Sequence, residues 1–277
     1  MTKLLDKLQT KSRRLTFFAG ATILLILLIG FIISWFDVVS ENQARWNALS
    51  EQSKLEIVRH NLIPSLQANF WKKTLTFTYI SNFSIGLALL LYALRPNSIK
   101  TNNFLILSGI YISVTFLIFW GLIFPGLFIE KVYSPTRMLV SITTHFVNPI
   151  IGISFLLFNS KKLTFSNKLI FWSLAPMFIY YFFAMGMYFI GNSWTKQIHL
   201  EASNNEYHLA KIQDLSGLTI YPFLNFEYPL FYKGNSILYV VIFNILILII
   251  GTSLPIALGF AFKYLAKIKF RTRRKYE

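Results

Sequence analysis

Six apolar runs, roughly Leu15–Phe36, Thr74–Leu94, Phe104–Ile129, Met138–Phe158, Leu169–Ile190 and Ser236–Phe262, contain no Asp, Glu, Lys or Arg. Each holds about 20 residues or more, enough at ~1.5 Å per residue to cross a ~30 Å hydrocarbon core. Within such a core the backbone must satisfy its own hydrogen bonds, so runs of this kind fold as helices. The expected fold is therefore all-α: a polytopic membrane bundle of six transmembrane helices forming a single membrane domain over residues 1–277. The first run is longer than the ~7–15 apolar residues of a signal core and lacks a small-residue cleavage site after it, so it is read as helix one. Composition agrees, because only 14% of residues are charged where a soluble domain carries about 25%.

Charges between the runs give a direction. The amino-terminal tail, the segments after helices two and four, and the tail 263–277 together hold seventeen of the 27 basic residues. The opposite side holds ten basic residues but nine of the eleven acidic ones. Basic residues accumulate on the cytoplasmic side, so both termini are expected there. The formal net charge of +16 is then a property of juxtamembrane segments that meet anionic lipid, not a nucleic-acid footprint. The tail reads as an anchor to anionic lipid, with Tyr264, Leu265, Ile268 and Phe270 interleaved among its basic residues.

Two outer loops are long. In 37–73, Ser40 and Gln43 have capping-box spacing, and Leu55, Val58 and Leu62 have helical spacing before Pro64. The loop 191–235 starts polar and becomes aromatic over 218–232, a stretch too short and too polar to span. Its rings suit the membrane interface, where it either lies on the surface or dips inward as a lid. No internal repeat or low-complexity linker is present.

Polar groups at membrane depth are costly and therefore informative. His145 is the one ionisable side chain other than tyrosine well within a run. Ser141 and Asn148 share its helical face. Pro149 obstructs the carbonyl four residues back, that of His145, so the helix is expected to loosen beside its histidine. Helix two carries Thr76, Thr78, Ser81, Asn82 and Ser84. Thr78 and His145 are expected roughly 6 and 10 Å deep on helices that both run inward, within reach of one another. A neutral imidazole accepts a hydroxyl proton and turns the oxygen into a nucleophile. In that scheme Ser81, Asn82 or Asn148 holds the ring or donates to an oxyanion. The same residue types also tighten helix bundles through interhelical hydrogen bonds, and spacing alone does not separate these readings.

Other chemistry has little support. The chain has no cysteine, which removes disulfides, thiolate metal sites and cysteine nucleophiles. His60, His199 and His208 have no partner at metal-ligand spacing, and the HExxH, P-loop, dinucleotide-binding and GxSxG patterns are absent. No metal or cofactor is expected.

Three motifs occur in order: Thr78-Tyr-Ile-Ser-Asn82, His145-Phe-Val-Asn-Pro149 and Ile220-Tyr-Pro-Phe-Leu224. In these the chain resembles the six-pass androgen-induced hydrolase superfamily and its uncharacterised bacterial relatives, over about Thr74–Phe262. The animal members are threonine hydrolases that cleave fatty acid esters of hydroxy fatty acids. The resemblance implies Thr78 as nucleophile and His145 as its partner, with Tyr221, Pro222 and Phe223 in a loop over the site. It also implies a lipid-like ester substrate. The histidine-to-proline spacing is that of the bacterial relatives, the residue after Thr78 is tyrosine, and Asn192–Ser216 is an insertion. The composition, rich in Lys, Asn and Ile, suits an AT-rich bacterial genome and hence a multi-pass protein of the bacterial plasma membrane.

Two classes of function follow. One is an intramembrane lipid-ester hydrolase using Thr78 and His145. The other is a non-catalytic structural or accessory subunit of a membrane assembly that meets a protein partner through its outer loops. A small-molecule transporter is less favoured, because the chain has one ionisable intramembrane residue and no broken-helix repeat.

Overall fold

A computed structural model describes residues 8–125, 135–201, 209–234 and 236–270, without the side chains of Glu201, Lys269 and Phe270. The apolar runs fold into six helices long and apolar enough to cross a membrane: Lys11–Asn47, Phe77–Leu94, Ile99–Ile123, Pro135–Lys162, Asn167–Leu200 and Ile237–Tyr264. The chain is an all-α, multi-pass membrane protein. Its residues group into two compact units, 1–165 with 266–271, and 166–265 with 272–277.

In the first unit α1 (Lys11–Asn47) runs well past its apolar stretch. Short helices α2 (Glu51–Arg59) and α3 (Leu66–Thr74) follow. Then come α4 (Phe77–Leu94) and α5 (Ile99–Ile118), the latter extended by a π-helical turn at Phe119–Ile123. The fourth crossing is composite: α6 (Pro135–Ile142), a π-helical turn at Thr143–Val147, and α7 (Asn148–Asn159).

The expected loop 37–73 is therefore shorter than its charges suggest. Residues 37–47 continue α1, because Asp37 and Glu41 find cationic partners on other helices. Ser40 is consequently mid-helix and caps nothing. The caps are Ser50, which accepts from the Ser53 N–H at 3.1 Å, and Ser65, which accepts from the Ala68 N–H at 3.2 Å. Leu62 lies past the end of α2, after Asn61 at φ 55°.

Packing of α1 on α4 forms the spine of this unit. The helices approach so closely that a Cβ on Gly20 would lie 2.6 Å from the Gly86 carbonyl oxygen. Glycine here permits backbone contact, as at small-residue interfaces in membranes. At one end of the spine the Arg13 guanidinium donates to the carbonyls of Ala93 and Leu94 at 2.8 and 3.2 Å, satisfying carbonyls that the end of α4 leaves open. At that end too, β1 (Thr164–Phe165) pairs in parallel with β2 (Lys269–Phe270) over Leu163, Phe165 and Ile268, all buried. The tail thus folds onto the first unit as far as residue 270, and its remaining residues, 271–277, lie outside the described ones.

The second unit contains α8 (Asn167–Trp172), α9 (Leu174–Glu201), α10 (Leu209–Leu215) and α11 (Ile237–Tyr264). Helix α9 continues through 191–201, so the outer loop there is also shorter than expected. The aromatic stretch neither lies free nor hangs as a flap: Leu218, Tyr221, Phe223, Leu224 and Phe226 pack with Ala184 and Tyr188 of α9. Asn244 of α11 donates to the Phe226 carbonyl at 2.9 Å. Two short turns, Pro222–Leu224 and Pro229–Phe231, shape the stretch, with Leu230 and Phe231 at positive φ.

Candidate functional site

Thr78 sits in the first turn of α4, and His145 in the π turn between α6 and α7. Helix α4 starts at Phe77 rather than at Thr74, which ends α3, so Thr78 lies closer to its helix end than expected. The two side chains nevertheless meet, with Thr78 Oγ1 3.2 Å from His145 Nε2. The other ring nitrogen, Nδ1, is 2.9 Å from the Ser141 carbonyl oxygen. A carbonyl only accepts, so Nδ1 carries the proton and Nε2 presents its lone pair to the Thr78 hydroxyl. Ser141 thus holds the ring through its backbone; its hydroxyl is farther, at 3.5 Å. Thr144 Oγ1 also lies 3.2 Å from Nδ1. Phe119 stacks on the imidazole with centroids 3.9 Å apart, fixing its plane from one side.

The π turn follows from Pro149. Proline has no N–H to give and crowds the carbonyl of His145. That carbonyl accepts instead from Trp120 Nε1 at 3.2 Å. Trp120 comes from the other π turn, at Phe119–Ile123. Two π turns on neighbouring helices therefore face each other across His145. Single π turns often mark functional sites, because they release backbone groups and re-aim side chains.

The supporting residues divide by what their hydrogens are doing. Asn82 Nδ2 donates to the carbonyls of Thr78 and Thr144, at 2.8 and 3.0 Å. Ser81 donates to the Thr78 carbonyl at 2.9 Å, which leaves Thr115 as the donor to Ser81 across 2.7 Å. Ser81 and Asn82 are therefore committed to holding the start of α4 and are not oxyanion donors, a correction to the expected role. Asn148 differs: it is fully buried, and neither end of its amide has a hydrogen-bond partner among the described residues. Tyr79, beside Thr78, ties α4 to α1 through Ser34 Oγ at 3.2 Å and a ring contact with Phe31 at 4.8 Å.

Beyond this pair, toward the C-terminal end of α1, lies an ion cluster. Arg137 stands two turns before His145 on α6. It reaches Glu41 at 2.7 Å and Asp37 at 3.9 Å, and Lys73 reaches Glu41 at 2.9 Å. Burial pushes the Lys73 ammonium below the usual lysine range, against the opposing hydrogen bond from Glu41. The cluster binds α1, α3 and α6 at the end where Thr78 and His145 meet. No group of three or more His, Cys, Asp or Glu able to hold a metal occurs among the described residues.

Tyr221, Pro222 and Phe223 belong to the second unit, in which Tyr221 and Phe223 stack at 5.2 Å. The polar centre there is Gln213, fully buried on α10. Its Nε2 lies 2.9 Å from Tyr188 Oη, Asn192 Oδ1 and Glu227 Oε2, and its Oε1 accepts from Asn225 at 2.7 Å. Asn225 Oδ1 in turn accepts the backbone N–H groups of Glu227 and Tyr228, both at 3.0 Å. Burial pushes the Glu227 carboxyl up, but Lys196, Asn192 and Gln213 together hold it below the usual carboxylate range.

Sequence reasoning missed Trp120, Phe119, Thr115 and Gln213. Thr115 had a signal, as a hydroxyl in an apolar run. The aromatic pair had none, since rings are common in every run, and Gln213 lies in a polar stretch where one more amide carries no information. Comparison with known proteins adds no relative: no family model, curated protein or solved structure matches this chain.

Proposed function

We propose that the protein is an intramembrane lipid-ester hydrolase in which Thr78 is the nucleophile and His145 the general base. The observation that carries this reading is the Thr78–His145 contact at 3.2 Å with Nδ1 anchored on a carbonyl. That distance falls at the edge of the range a nucleophile–base pair requires, and the tautomer is the one that accepts a proton at Nε2. The resemblance to androgen-induced hydrolases points to the same two residues.

In the reaction Thr78 Oγ1 attacks the ester carbonyl carbon while its proton passes to Nε2. The tetrahedral intermediate then expels the alcohol, which takes that proton. Water attacks the acyl-threonine, Nε2 accepts the water proton and returns it to Oγ1, and the carboxylic acid leaves. The substrate class is a lipid-like ester that enters from the outer leaflet. The setting is a bacterial plasma membrane, with both termini cytoplasmic and the basic tail against anionic lipid.

The full chain in detergent micelles is expected to hydrolyse a fluorogenic long-chain acyl ester and to react with an activated-ester hydrolase probe. Thr78→Ala and His145→Ala are expected to reduce turnover by roughly 10³-fold or more. Labelling that is unchanged in both variants would sink the proposal.

The second reading, an accessory subunit, is favoured by one observation. Along α11 the large apolar residues Ile237, Leu238, Val241, Ile245 and Ile249 are all exposed, a surface that lipid or a partner helix covers. Stable co-purification of one membrane partner, together with wild-type behaviour of Thr78→Ala, is the result that would select it.

A further inference from the structure

Resting on the hydrolase reading, the geometry points to a bound-water site formed by Asn82 and Asn148 beside the Thr78–His145 pair, and we propose that it supplies the water that cleaves the acyl-threonine.

The argument begins with unmet hydrogen-bonding capacity. Asn82 and Asn148 are both fully buried. Asn82 Oδ1, Asn148 Oδ1 and Asn148 Nδ2 have no partner among the described residues. Leaving a buried polar atom unpaired costs about 1–3 kcal/mol, so these three atoms on two residues call for an occupant with both donors and an acceptor.

Both residues are tied to one turn. Asn82 Nδ2 is bonded to the Thr144 carbonyl at 3.0 Å, while the Asn148 backbone N–H is bonded to the neighbouring carbonyl, that of Thr143. Side chains on a helix lean toward its N-terminus, which brings the Asn148 amide back over the turn that Asn82 touches. The next residue of that turn is His145. Water fits the chemistry: at rest it donates to the two Oδ1 atoms and accepts from Nδ2, within the two to four partners that buried waters use. For the attack one of its O–H groups turns from an Oδ1 to Nε2, which takes that proton. A lipid ester carbonyl accepts only, and would leave both oxygens unmet. A protein whose reaction centre lies within an apolar bundle also needs a fixed place for water, and these amides provide it one turn from the base.

The test uses the full chain in micelles and para-nitrophenyl decanoate. Asn148→Leu keeps the side-chain size and removes two of the three water ligands. It is expected to release one equivalent of nitrophenolate per protein and then to turn over about 100-fold more slowly than wild type, the order of loss for a misplaced reactant. The intact-protein mass is expected to show a decanoyl adduct that is absent from the Thr78→Ala, Asn148→Leu double variant. Hydroxylamine, a nucleophile that does not need the site, is expected to restore turnover.

Wild-type turnover in Asn148→Leu overturns the proposal. So does loss of the initial equivalent in a variant that melts like wild type, because Asn148 would then support the pair rather than the water. If Asn148→Leu does not fold, Asn148→Ser is judged by the same criteria. Failure of the hydrolase reading looks different: nitrophenolate release by wild type then equals that of Thr78→Ala.

Discussion

A few hydrogen bonds determine what Thr78 and His145 can do. Nδ1 is held by a main-chain oxygen, so the tautomer does not depend on a mobile carboxylate. Asn82 joins the first turn of α4 to the π turn through two carbonyls, and no other described side chain holds both. Asn82→Ala is expected to destabilise the protein by about 1–3 kcal/mol, because two buried hydrogen bonds are lost and the Thr144 carbonyl loses this donor, while the Thr78 carbonyl keeps the one from Ser81. Thermal unfolding in detergent measures this. Its activity is expected to fall as well, because the separation of Thr78 and His145 is set by the bond it removes. Both polar clusters were legible as residue types in apolar runs. Which of them donate and which are left over was not, because that depends on which carbonyls the neighbouring helices bring within 3 Å.

At the scale of elements, the π turn at Thr143–Val147 aims the histidine. A loosening beside His145 could be read from Pro149; the rescue of the freed carbonyl by Trp120 could not, because it comes from a different helix. Pro149→Ala restores an N–H and relieves the crowding of that carbonyl. It is expected to shift the turn toward regular α-helix, lowering ester turnover at least about tenfold while the melting temperature holds or rises. Parallel activity and melting measurements separate this from a simple folding defect. The α1–α4 contact makes the opposite prediction. A Cβ at position 20 would meet backbone rather than a flexible side chain, so Gly20→Ala is expected to cost about 1–3 kcal/mol, read as a lower melting temperature. Neither glycine stands out in its apolar run; the close approach shows only when the two helices are laid together.

For the whole molecule, the charge pattern between crossings and the element order agree. The tail and the segment after the fourth crossing, both assigned to one side by charge, are joined by the β1–β2 pair. In the second unit, α10 carries Gln213 into the centre of the network around Glu227, so α10 adds polar fastening to the aromatic segment that already packs on α9. That network gives a pH prediction. The folded value of Glu227 is depressed, so its contribution to stability is complete above the ordinary carboxylate value of 4.5 and is lost as pH falls through the lower folded value. The melting temperature of wild type is expected to fall over that acidic range more steeply than that of Glu227→Gln. Equal slopes would mean that the carboxylate contributes nothing there.

The sequence by itself determined the fold class and the number of crossings, because the bilayer imposes one length and one composition on every segment that spans it. It also brought forward Thr78 and His145 among several polar residues of two runs, because polar side chains at that depth are costly, and the family resemblance narrowed these to the pair. It misjudged where helices stop, extending loops through 37–47 and 191–201, since charged residues end an apolar run without ending a helix when partners such as Arg137 and Lys73 meet them. Only the tertiary structure decided which nitrogen of His145 faces Thr78, that Ser81 and Asn82 are occupied while the Asn148 amide has no partner among the described residues, and that Trp120 completes the turn. Those outcomes are relations between atoms on different helices, fixed by packing at distances near 3 Å, and no local pattern in a chain encodes them.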